Sequence, residues 1–509
     1  MKEENTEKSH RQILRSSSII GGASVINILV GILRMKVAAV LLGPAGVGLI
    51  GILQNLIATA STISSLGFGN VGTRQIAEAN GHGRQDQVDA ARRALFWGTL
   101  ILAILGGGIF WLLREYLATI LLNDASLASE VGWLALGVVL TVAAGSQGAL
   151  LNGMRRIGDI ARVRIYSSIV GTFVGVLALY GIGREGLILF VLSAPLSSFL
   201  FSHFYVAKLA ALSAPPTPIA DLITQWRALV TLGFAFMIAG LATTLGHLVV
   251  RSLVQNQLGA DALGYFQAAW MISMTYIGFV LGAMGTDFYP RLTAVIHDHV
   301  KANRLVNEQT EVAILLASPV LLAMLALAPW VISLLYSNEF SPAANVLRWQ
   351  ILGDVIKVVS WPLGFILLAA GDGKLFMITE ILAGLIFAFF TWLLLHTLGI
   401  EASGIAFFVM YVLYLPIVFV LAVKRTNFRW TTSVMRDFWI VFTLASTIML
   451  AGMYFDWLGL VIGLISSLVL GFIALVRLSK MTELEGRLGG LANFITRMSV
   501  INNSKKDIE

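Results

Sequence analysis

The chain has no cysteine, little charge and little proline. It contains 0 Cys and 11 Pro among 509 residues, and only 12% of its residues are charged. The absence of cysteine excludes disulfide bonds and thiolate metal sites. Soluble domains carry about 25% charged residues. The low charged fraction therefore leaves no room for a large soluble domain.

The signatures of several enzyme classes are also missing. The sequence has no Gly-rich loop that ends in Lys-Ser or Lys-Thr and no His-Glu-x-x-His motif, which argues against an ATPase and a zinc protease. The seven His residues are scattered, so we expect no metal site. The first 16 residues are polar and lack a cleavage site, so we expect no removable signal peptide. We predict a protein that is not an enzyme and needs no cofactor.

Long apolar runs recur along nearly the whole chain, in which 57% of residues are hydrophobic. Each run has about 18–25 residues, the length that an α-helix needs to cross a hydrocarbon core of about 30 Å. The pattern predicts an all-α polytopic membrane protein with about 14 transmembrane helices.

The two halves of the chain share landmark residues in the same order. In each half a basic residue ends an apolar run, and Leu-Gly and a second glycine five positions later follow it. The matched positions are Gly43 with Gly259, Gly48 with Gly264, Leu66-Gly67 with Leu281-Gly282, Arg74 with Arg291, and Gly181-Ile182 with Gly399-Ile400. Duplicated halves around a central site are a recurring plan among transporters. We predict two pseudo-symmetric lobes of six helices each and a further C-terminal helix pair.

The predicted organisation has six parts. They are a cytoplasmic N-tail (1–16), an N-lobe (17–212), a cytoplasmic linker (213–227), a C-lobe (228–424), an extra helix pair (437–478) and a cytoplasmic tail (479–509). Most of the 35 Lys and Arg residues fall on one side of the membrane if both termini are cytoplasmic. Because positive charge accumulates in cytoplasmic loops, we predict that orientation. The same loops explain the net charge of +7, and we expect no nucleic-acid partner.

Several charged residues lie inside the predicted spans, where insertion of a charge costs roughly 2.5–3.5 kcal/mol. They are Arg34, Lys36, Arg251, Asp287, Asp354, Lys357 and Glu380. Such residues persist where they face water, a partner or a substrate. The repeat would bring the charges of the first and seventh spans to opposite walls of one central cavity. The alternatives are snorkelling of Arg34 and Lys36 to the headgroups, and mutual neutralisation of Asp354 and Lys357 on one helix face.

Four segments of the chain resemble Wzx-type O-antigen flippases, which form part of the polysaccharide transporter branch of the MOP superfamily. They are KVAAVLLGPAGVGLIGILQNL (36–56), the loop segment NVGTRQIAEANG (70–81), LGYFQAAWMIS (263–273) and WQILGDVIKVVSWPLGFILLA (349–369). The resemblance extends over about residues 15–425. The extra helix pair departs from the twelve-span pattern of that group.

The resemblance implies a flippase that works by alternating access. The implied substrate is an O-antigen or related oligosaccharide on undecaprenyl pyrophosphate, moved from the cytoplasmic to the periplasmic leaflet of the bacterial inner membrane. A pyrophosphate needs cations in a desolvated groove. The candidate substrate-binding residues are Arg34, Lys36, Arg74, Arg251, Arg291 and Lys357. The candidates for H⁺ or Na⁺ coupling are Asp287, Asp354 and Glu380.

Other functions stay open at this point. A cation-coupled multidrug exporter of the same superfamily would favour an apolar, aromatic pocket with one or two acids. A lipid II flippase would handle closely similar chemistry. A membrane-embedded glycan polymerase or ligase would need a large periplasmic loop, and the predicted outside loops are short. The expected partners are the lipid-linked oligosaccharide, membrane lipids, a polysaccharide polymerase and glycosyltransferases, and we expect a monomer.

Overall fold

The computed structural model consists of long α-helices, and no strand occurs in the part of the chain that it describes. It describes the backbone of residues 2–210 and 219–482, and side chains within 21–210 and 222–479 except at a few positions in α8 and α9, Asp287 among them. The helices are α1 Lys2–Ser65, α2 Phe68–Gly81, α3 Gln85–Leu112, α4 Arg114–Leu122, α5 Ala128–Gly153, α6 Ile157–Ile182, α7 Leu187–Ala207, α8 Ile219–Leu258, α9 Ala260–Val295, α10 His299–Leu335, α11 Ala343–Ala369, α12 Gly373–Leu398, α13 Glu401–Thr426, α14 Thr432–Tyr454 and α15 Asp456–Thr482.

Ten helical segments of the described residues are long and apolar enough to cross a membrane. Two of them, Gly21–Ser65 and Ile157–Ala207, have 45 and 51 residues. One crossing takes about 20 residues, so each of these segments is long enough for two. Gly43 and Gly183, which both have positive φ, interrupt them. The protein is an all-α integral membrane protein, as predicted, and the predicted number of spans stays a prediction.

The internal repeat is visible in the backbone conformation. Positions with positive φ form three pairs that are all separated by 216 residues: Gly43 with Gly259, Arg155 with Gly371, and Gly183 with Gly399. Helices α6 and α12, which lie between the second and third pairs, both have 26 residues. One predicted match therefore needs correction, because Gly399 corresponds to Gly183 and not to Gly181. Gly183 has the positive φ that glycine adopts without steric cost, whereas Gly181 lies inside α6.

The chain forms two compact units. Unit 1 comprises Met1–Ala268 and Ser333–Ser341, and unit 2 comprises Ala269–Ile332 and Pro342–Glu509. The division lies within α9, whereas the predicted lobes 17–212 and 228–424 follow the sequence repeat and stay a prediction. Within the predicted linker 213–227, α8 begins at Ile219 and the preceding residues lie outside the described part. The side chains of the predicted N-tail 1–16 and residues 483–509 of the predicted tail also lie outside it.

The segment 70–81, predicted as a loop, is part of helix α2. Its apolar residues recur at helical spacing, and Phe68, Val71 and Ile76 are buried. They pack against Leu95 of α3 and Leu150 of α5 in one apolar cluster. Helix α2 lies between two candidate spans and is not one itself, so the loop of the predicted topology is an amphipathic helix.

The predicted extra helix pair consists of α14 and α15, and ion pairs at both ends of α15 hold it to unit 2. Near its end, Arg477 lies 2.5 Å from Glu311 of α10 and 2.5 Å from Asp437 of α14. At its start, Asp456 lies 2.6 Å from Arg348 of α11. Partly buried ion pairs are costly to break, because removal of one partner leaves the other charge uncompensated. The pair is therefore an integral part of unit 2.

The bounds of α3 allow a direct test of the predicted orientation. Because the chain lacks cysteine, single cysteines can be placed before and after this helix without background. We expect Ser126→Cys to react with a membrane-impermeant maleimide on intact spheroplasts and His82→Cys to react only after permeabilisation. Both positions are exposed. The unmodified chain is the control. The opposite labelling pattern would reverse the orientation, and labelling of both sites on intact cells would show that α3 does not span the membrane.

Candidate functional site

Arg34 lies on α1 in unit 1 and is bound by protein groups. Its side chain is only 8% exposed. One guanidinium nitrogen donates to the backbone carbonyl of Phe190 and, at 3.1 Å, to Oγ of Ser193, both on α7. The guanidinium carbon lies 4.2 Å from the centre of the Phe190 ring. These contacts join α1 to α7 and compensate a charge that would otherwise be costly in an apolar environment.

Lys36, two residues later, contacts the carboxyl end of α10. Its ammonium donates to the backbone carbonyl of Tyr336 and, at 3.4 Å, to that of Ser333. The last carbonyls of a helix lack intrahelical donors and carry its negative partial charge. Lys36 therefore caps this helix end, and its position relative to the headgroups stays a prediction.

Arg251 of α8 is buried and bound to the neighbouring helix. It is 5% exposed, and its Nε donates to Oε1 of Gln267 on α9 at 3.0 Å. A second nitrogen donates to the carbonyl of His247 at 3.3 Å. The glycines of the first repeat make room for this arrangement, because a Cβ on Gly51 would collide with Gln267. A Cβ on Gly48 would likewise lie 2.6 Å from the backbone nitrogen of Gly264.

Asp354 forms the centre of a buried polar cluster in unit 2. The side chain is fully buried on α11. Its Oδ2 accepts hydrogen bonds from Ser273 at 2.6 Å and from the Tyr276 hydroxyl at 2.7 Å, both on α9. Its Oδ1 lies 4.0 Å from Nζ of Lys357. The predicted pairing of Asp354 with Lys357 is therefore present, and among the described residues Oδ1 has no hydrogen-bond partner.

Lys357 lines a cavity of about 430 Å³ in unit 2. The apolar residues Met274, Leu281, Trp361 and Phe365 also line this cavity. Nζ lies 3.8 Å from the sulfur of Met274 and within 6 Å of the ring centres of Phe407 and Tyr411. Among the described residues, no carboxylate oxygen lies within hydrogen-bond distance of this ammonium. An anion that enters the cavity could therefore form a closer contact with this ammonium than Asp354 does.

The other predicted site residues lie elsewhere. Glu380 of α12 accepts a hydrogen bond from Tyr414 of α13 at 2.7 Å. Arg74 is 71% exposed on α2 and pairs with Glu78 at 2.8 Å, and the hydrogen bond from Arg74 to Glu78 raises the pKa of Arg74. Arg291 lies exposed on α9. Asp287 lies outside the described side chains. Within the described part of the chain, no group of three or more His, Asp or Glu residues is arranged to hold a metal ion.

The structure does not gather the six predicted cations around one point within either unit. Arg34, Lys36 and Arg251 each bind different protein groups, and only Lys357 lines the cavity of unit 2. Their predicted roles in substrate binding stay predictions. Sequence reasoning missed the polar partners Ser193, Gln267, Ser273 and Tyr276. Polar residues inside apolar runs were the signal that could have found them, since they need partners in a membrane.

Comparison with known proteins gives both a family and a fold. A family model described as "Polysaccharide biosynthesis protein" matches residues 37–345. Proteins named lipid III flippase, from Escherichia coli (strain K12) and from Shigella flexneri, are each 24% identical to the chain over 414 residues. The alignment covers 79% of this chain and 96% of each relative.

Solved structures of transporters share the fold. An inward-facing multidrug resistance transporter of the MATE family, in the MOP superfamily, superposes with a TM-score of 0.67 at 16% identity, over 79% of this chain and 94% of the other. The lipid II flippase MurJ, in an inward closed conformation, superposes with a TM-score of 0.66 at 12% identity, over 91% of this chain and 99% of the other. The fold expected from the sequence resemblance is therefore confirmed.

The pairing of Arg251 with Gln267 should be measurable as a stability term without any substrate. We expect Arg251→Met and Gln267→Leu each to lower the stability of the purified protein, and the double variant to lose less than the sum. Contacting polar residues typically show coupling energies of about 0.5–3 kcal/mol in such cycles. Denaturant unfolding in detergent provides the measurement.

Arg74→Met is the control, because the exposed pair with Glu78 is expected to change stability little. Strict additivity of Arg251→Met and Gln267→Leu would contradict a structural role for this hydrogen bond.

Proposed function

The chain belongs to the family of polysaccharide biosynthesis proteins, and we propose that it is a flippase for an oligosaccharide linked to undecaprenyl pyrophosphate. The proposed substrate, an O-antigen or related repeat unit, moves from the cytoplasmic to the periplasmic leaflet of the bacterial inner membrane by alternating access. Three observations support this proposal: the apolar helices, the similarity to proteins named lipid III flippase, and the fold shared with MurJ and MATE transporters.

The observation that carries the proposal is the environment of Lys357. The ammonium of Lys357 lines a cavity whose other lining side chains are apolar or aromatic. The distance from its Nζ to Oδ1 of Asp354 is 4.0 Å. Charges attract more strongly in such surroundings than in water, because the local dielectric constant is low. A lysine acts on phosphate as a compact point charge. A pyrophosphate that enters the cavity would therefore find an available cation in unit 2.

Asp354 has a supporting role in this proposal. Ser273 and Tyr276 donate to one carboxylate oxygen of Asp354, and hydrogen bonds of this kind favour the charged form of a carboxyl group. The remaining carboxylate oxygen holds the ammonium of Lys357 on the cavity side of α11 by attraction across 4.0 Å. When a phosphate binds to Lys357, the new contact can replace part of the attraction between Lys357 and Asp354.

Two rival transport functions differ from this proposal in the ligand that they predict. A cation-coupled multidrug exporter would suit the aromatic rings around Lys357, but a lysine in the wall repels cationic compounds. A lipid II flippase would use the same pyrophosphate chemistry and would differ in the saccharide.

A polysaccharide polymerase and glycosyltransferases are proposed partners, and we propose that the protein acts as a monomer with both termini in the cytoplasm.

Loss of the Lys357 charge should weaken binding of the lipid pyrophosphate. We expect Lys357→Ala to reduce the affinity for undecaprenyl pyrophosphate by about 10- to 100-fold, since a hydrogen bond to a charged group contributes about 1.5–3 kcal/mol. Lys357→Arg should retain most of the affinity. Native mass spectrometry of the purified protein provides the measurement.

Lys301→Ala is a matched control, because Lys301 lies exposed in the same unit and pairs with Asp298 at 2.9 Å. Equal binding by Lys357→Ala and by the unmodified chain would refute the role of this lysine. Tight binding of hydrophobic cations, with no binding of the lipid pyrophosphate, would favour the drug exporter.

We also propose that transport is coupled to H⁺, Na⁺ or the membrane potential, with Asp287, Asp354 and Glu380 as the candidate carriers. In proteoliposomes, we expect a pH or Na⁺ gradient to accelerate movement of the lipid-linked saccharide between leaflets. Asp354→Asn should remove this acceleration if Asp354 carries the ion, because the amide cannot exchange a proton and binds Na⁺ weakly. Glu380→Gln is the matched variant on another helix. Transport that is indifferent to both ion gradients and to voltage would exclude coupling.

A further inference from the structure

Unit 1 contains a second and larger cavity that no sequence pattern indicated. Its volume is about 820 Å³, more than twenty times the roughly 30 Å³ that one water molecule occupies in the liquid. Residues of α1, α2, α3, α5, α6 and α7 line it, and all of them belong to unit 1. Cavities of about 300–1,000 Å³ are the size range of small-molecule sites.

The wall of this cavity is rich in neutral hydrogen-bonding side chains. Among them are Ser61, Thr73, Thr99, Thr141, Asn152 and Ser202. None of the described lining residues is acidic, and Arg164 is the basic residue among them. The cavity therefore differs from the site around Lys357, since its character comes from hydroxyl and amide groups and not from a buried charge.

Two of these hydroxyl groups are buried and unsatisfied. Ser61 of α1 is 7% exposed and Thr99 of α3 is 5% exposed. Among the described residues, neither hydroxyl finds a hydrogen-bond partner. By contrast, Thr141 donates to the carbonyl of Gly137 at 2.7 Å, and Thr73 donates to that of Gly69 at 2.8 Å. Buried polar groups without a partner are rare, because each carries a desolvation cost. Ser61 and Thr99 thus supply hydroxyl groups next to the cavity that no described protein group pairs, and rotation of either side chain towards the cavity would offer its hydroxyl to a polar ligand.

We propose that this cavity binds the saccharide part of the substrate, an inference that rests on the proposed flippase function. A saccharide presents neutral hydroxyl and amide groups that both donate and accept hydrogen bonds. Serine and threonine hydroxyls can do both in return, whereas a carboxylate only accepts and an ammonium only donates. The predicted orientation also places the lining residues Asn70 and Asn152, near the ends of α2 and α5, towards the cytoplasm, where the substrate is supplied.

Glycines provide the room for this ligand. Gly145 and Gly148 of α5 line the cavity, and a Cβ on either residue would meet nothing within 4 Å. A larger side chain at Gly148 can therefore enter the cavity without displacing protein atoms next to the backbone. Gly108 of α3 offers the same freedom but does not line the cavity, so it supplies a matched position in the same unit.

The test compares two lipids: undecaprenyl pyrophosphate that carries N-acetylglucosamine, and undecaprenyl pyrophosphate alone. For the full chain, we expect tighter binding of the glycosylated lipid by native mass spectrometry. Gly148→Leu and the double variant Ser61→Ala with Thr99→Val should remove this preference. For the double variant we expect a loss of about 5- to 20-fold for the glycosylated lipid, from two neutral hydrogen bonds. Binding of the sugar-free lipid should not change.

Gly108→Leu is the control and should behave like the unmodified chain, and denaturant unfolding checks that each variant is folded. If folded Gly148→Leu and the double variant retain the full preference, or if the unmodified chain binds both lipids equally, the saccharide site is refuted while the flippase proposal stands. If the unmodified chain binds neither lipid, the flippase proposal itself fails.

Discussion

Every charge inside the apolar helices of this protein needs a polar partner, because the hydrocarbon around a membrane helix offers no water to solvate it. Arg34 and Arg251 meet this requirement with a backbone carbonyl and a neutral side chain each. Asp354 meets it with two hydroxyls. All of these bonds except that from Arg251 to His247, which lies within α8, join two helices, so the cost of burying a charge becomes a constraint on which helices are neighbours.

Lys357 has longer polar contacts than Arg34, Arg251 and Asp354, and this difference gives it functional interest. Its nearest oxygen in Asp354 is 4.0 Å away, and its other neighbours are a thioether and aromatic rings. Such contacts stabilise an ammonium less than a carboxylate at hydrogen-bond distance would. An ammonium with such weak contacts can respond to an anionic ligand, whereas Arg251 already donates hydrogen bonds to Gln267 and to a backbone carbonyl.

The two proposals assign different parts of an amphiphilic substrate to chemically different surroundings. A cation in an apolar wall suits a pyrophosphate, and a hydroxyl-rich cavity suits a saccharide. Each assignment rests on contacts within one unit: Lys357 with Asp354 in unit 2, and the unsatisfied hydroxyls of Ser61 and Thr99 in unit 1. Arg477 links the extra helix pair to the rest of unit 2 by its ion pair with Glu311. Glycines let the two helices of this pair pack closely, since a Cβ on Gly459 would lie 2.7 Å from Cα of Gly452.

The sequence by itself determined the class of the protein, the places of the long helices and the duplication. These follow from local properties: apolar length decides what can cross a bilayer, and repeated glycines mark positions that need positive φ, as at Gly43 and Gly259. It also identified Asp354 and Lys357 as a pair, because their spacing of three residues places them on one helix face. Only the tertiary structure decided which charges are already satisfied. The partners of Arg34, Arg251 and Asp354 lie on other helices, far away in the chain or across a turn, and their pairing depends on helix packing that no local pattern encodes. The cavity of unit 1 also depends on the tertiary structure, because its serines and threonines lie on separate helices and form one wall only when these helices pack together.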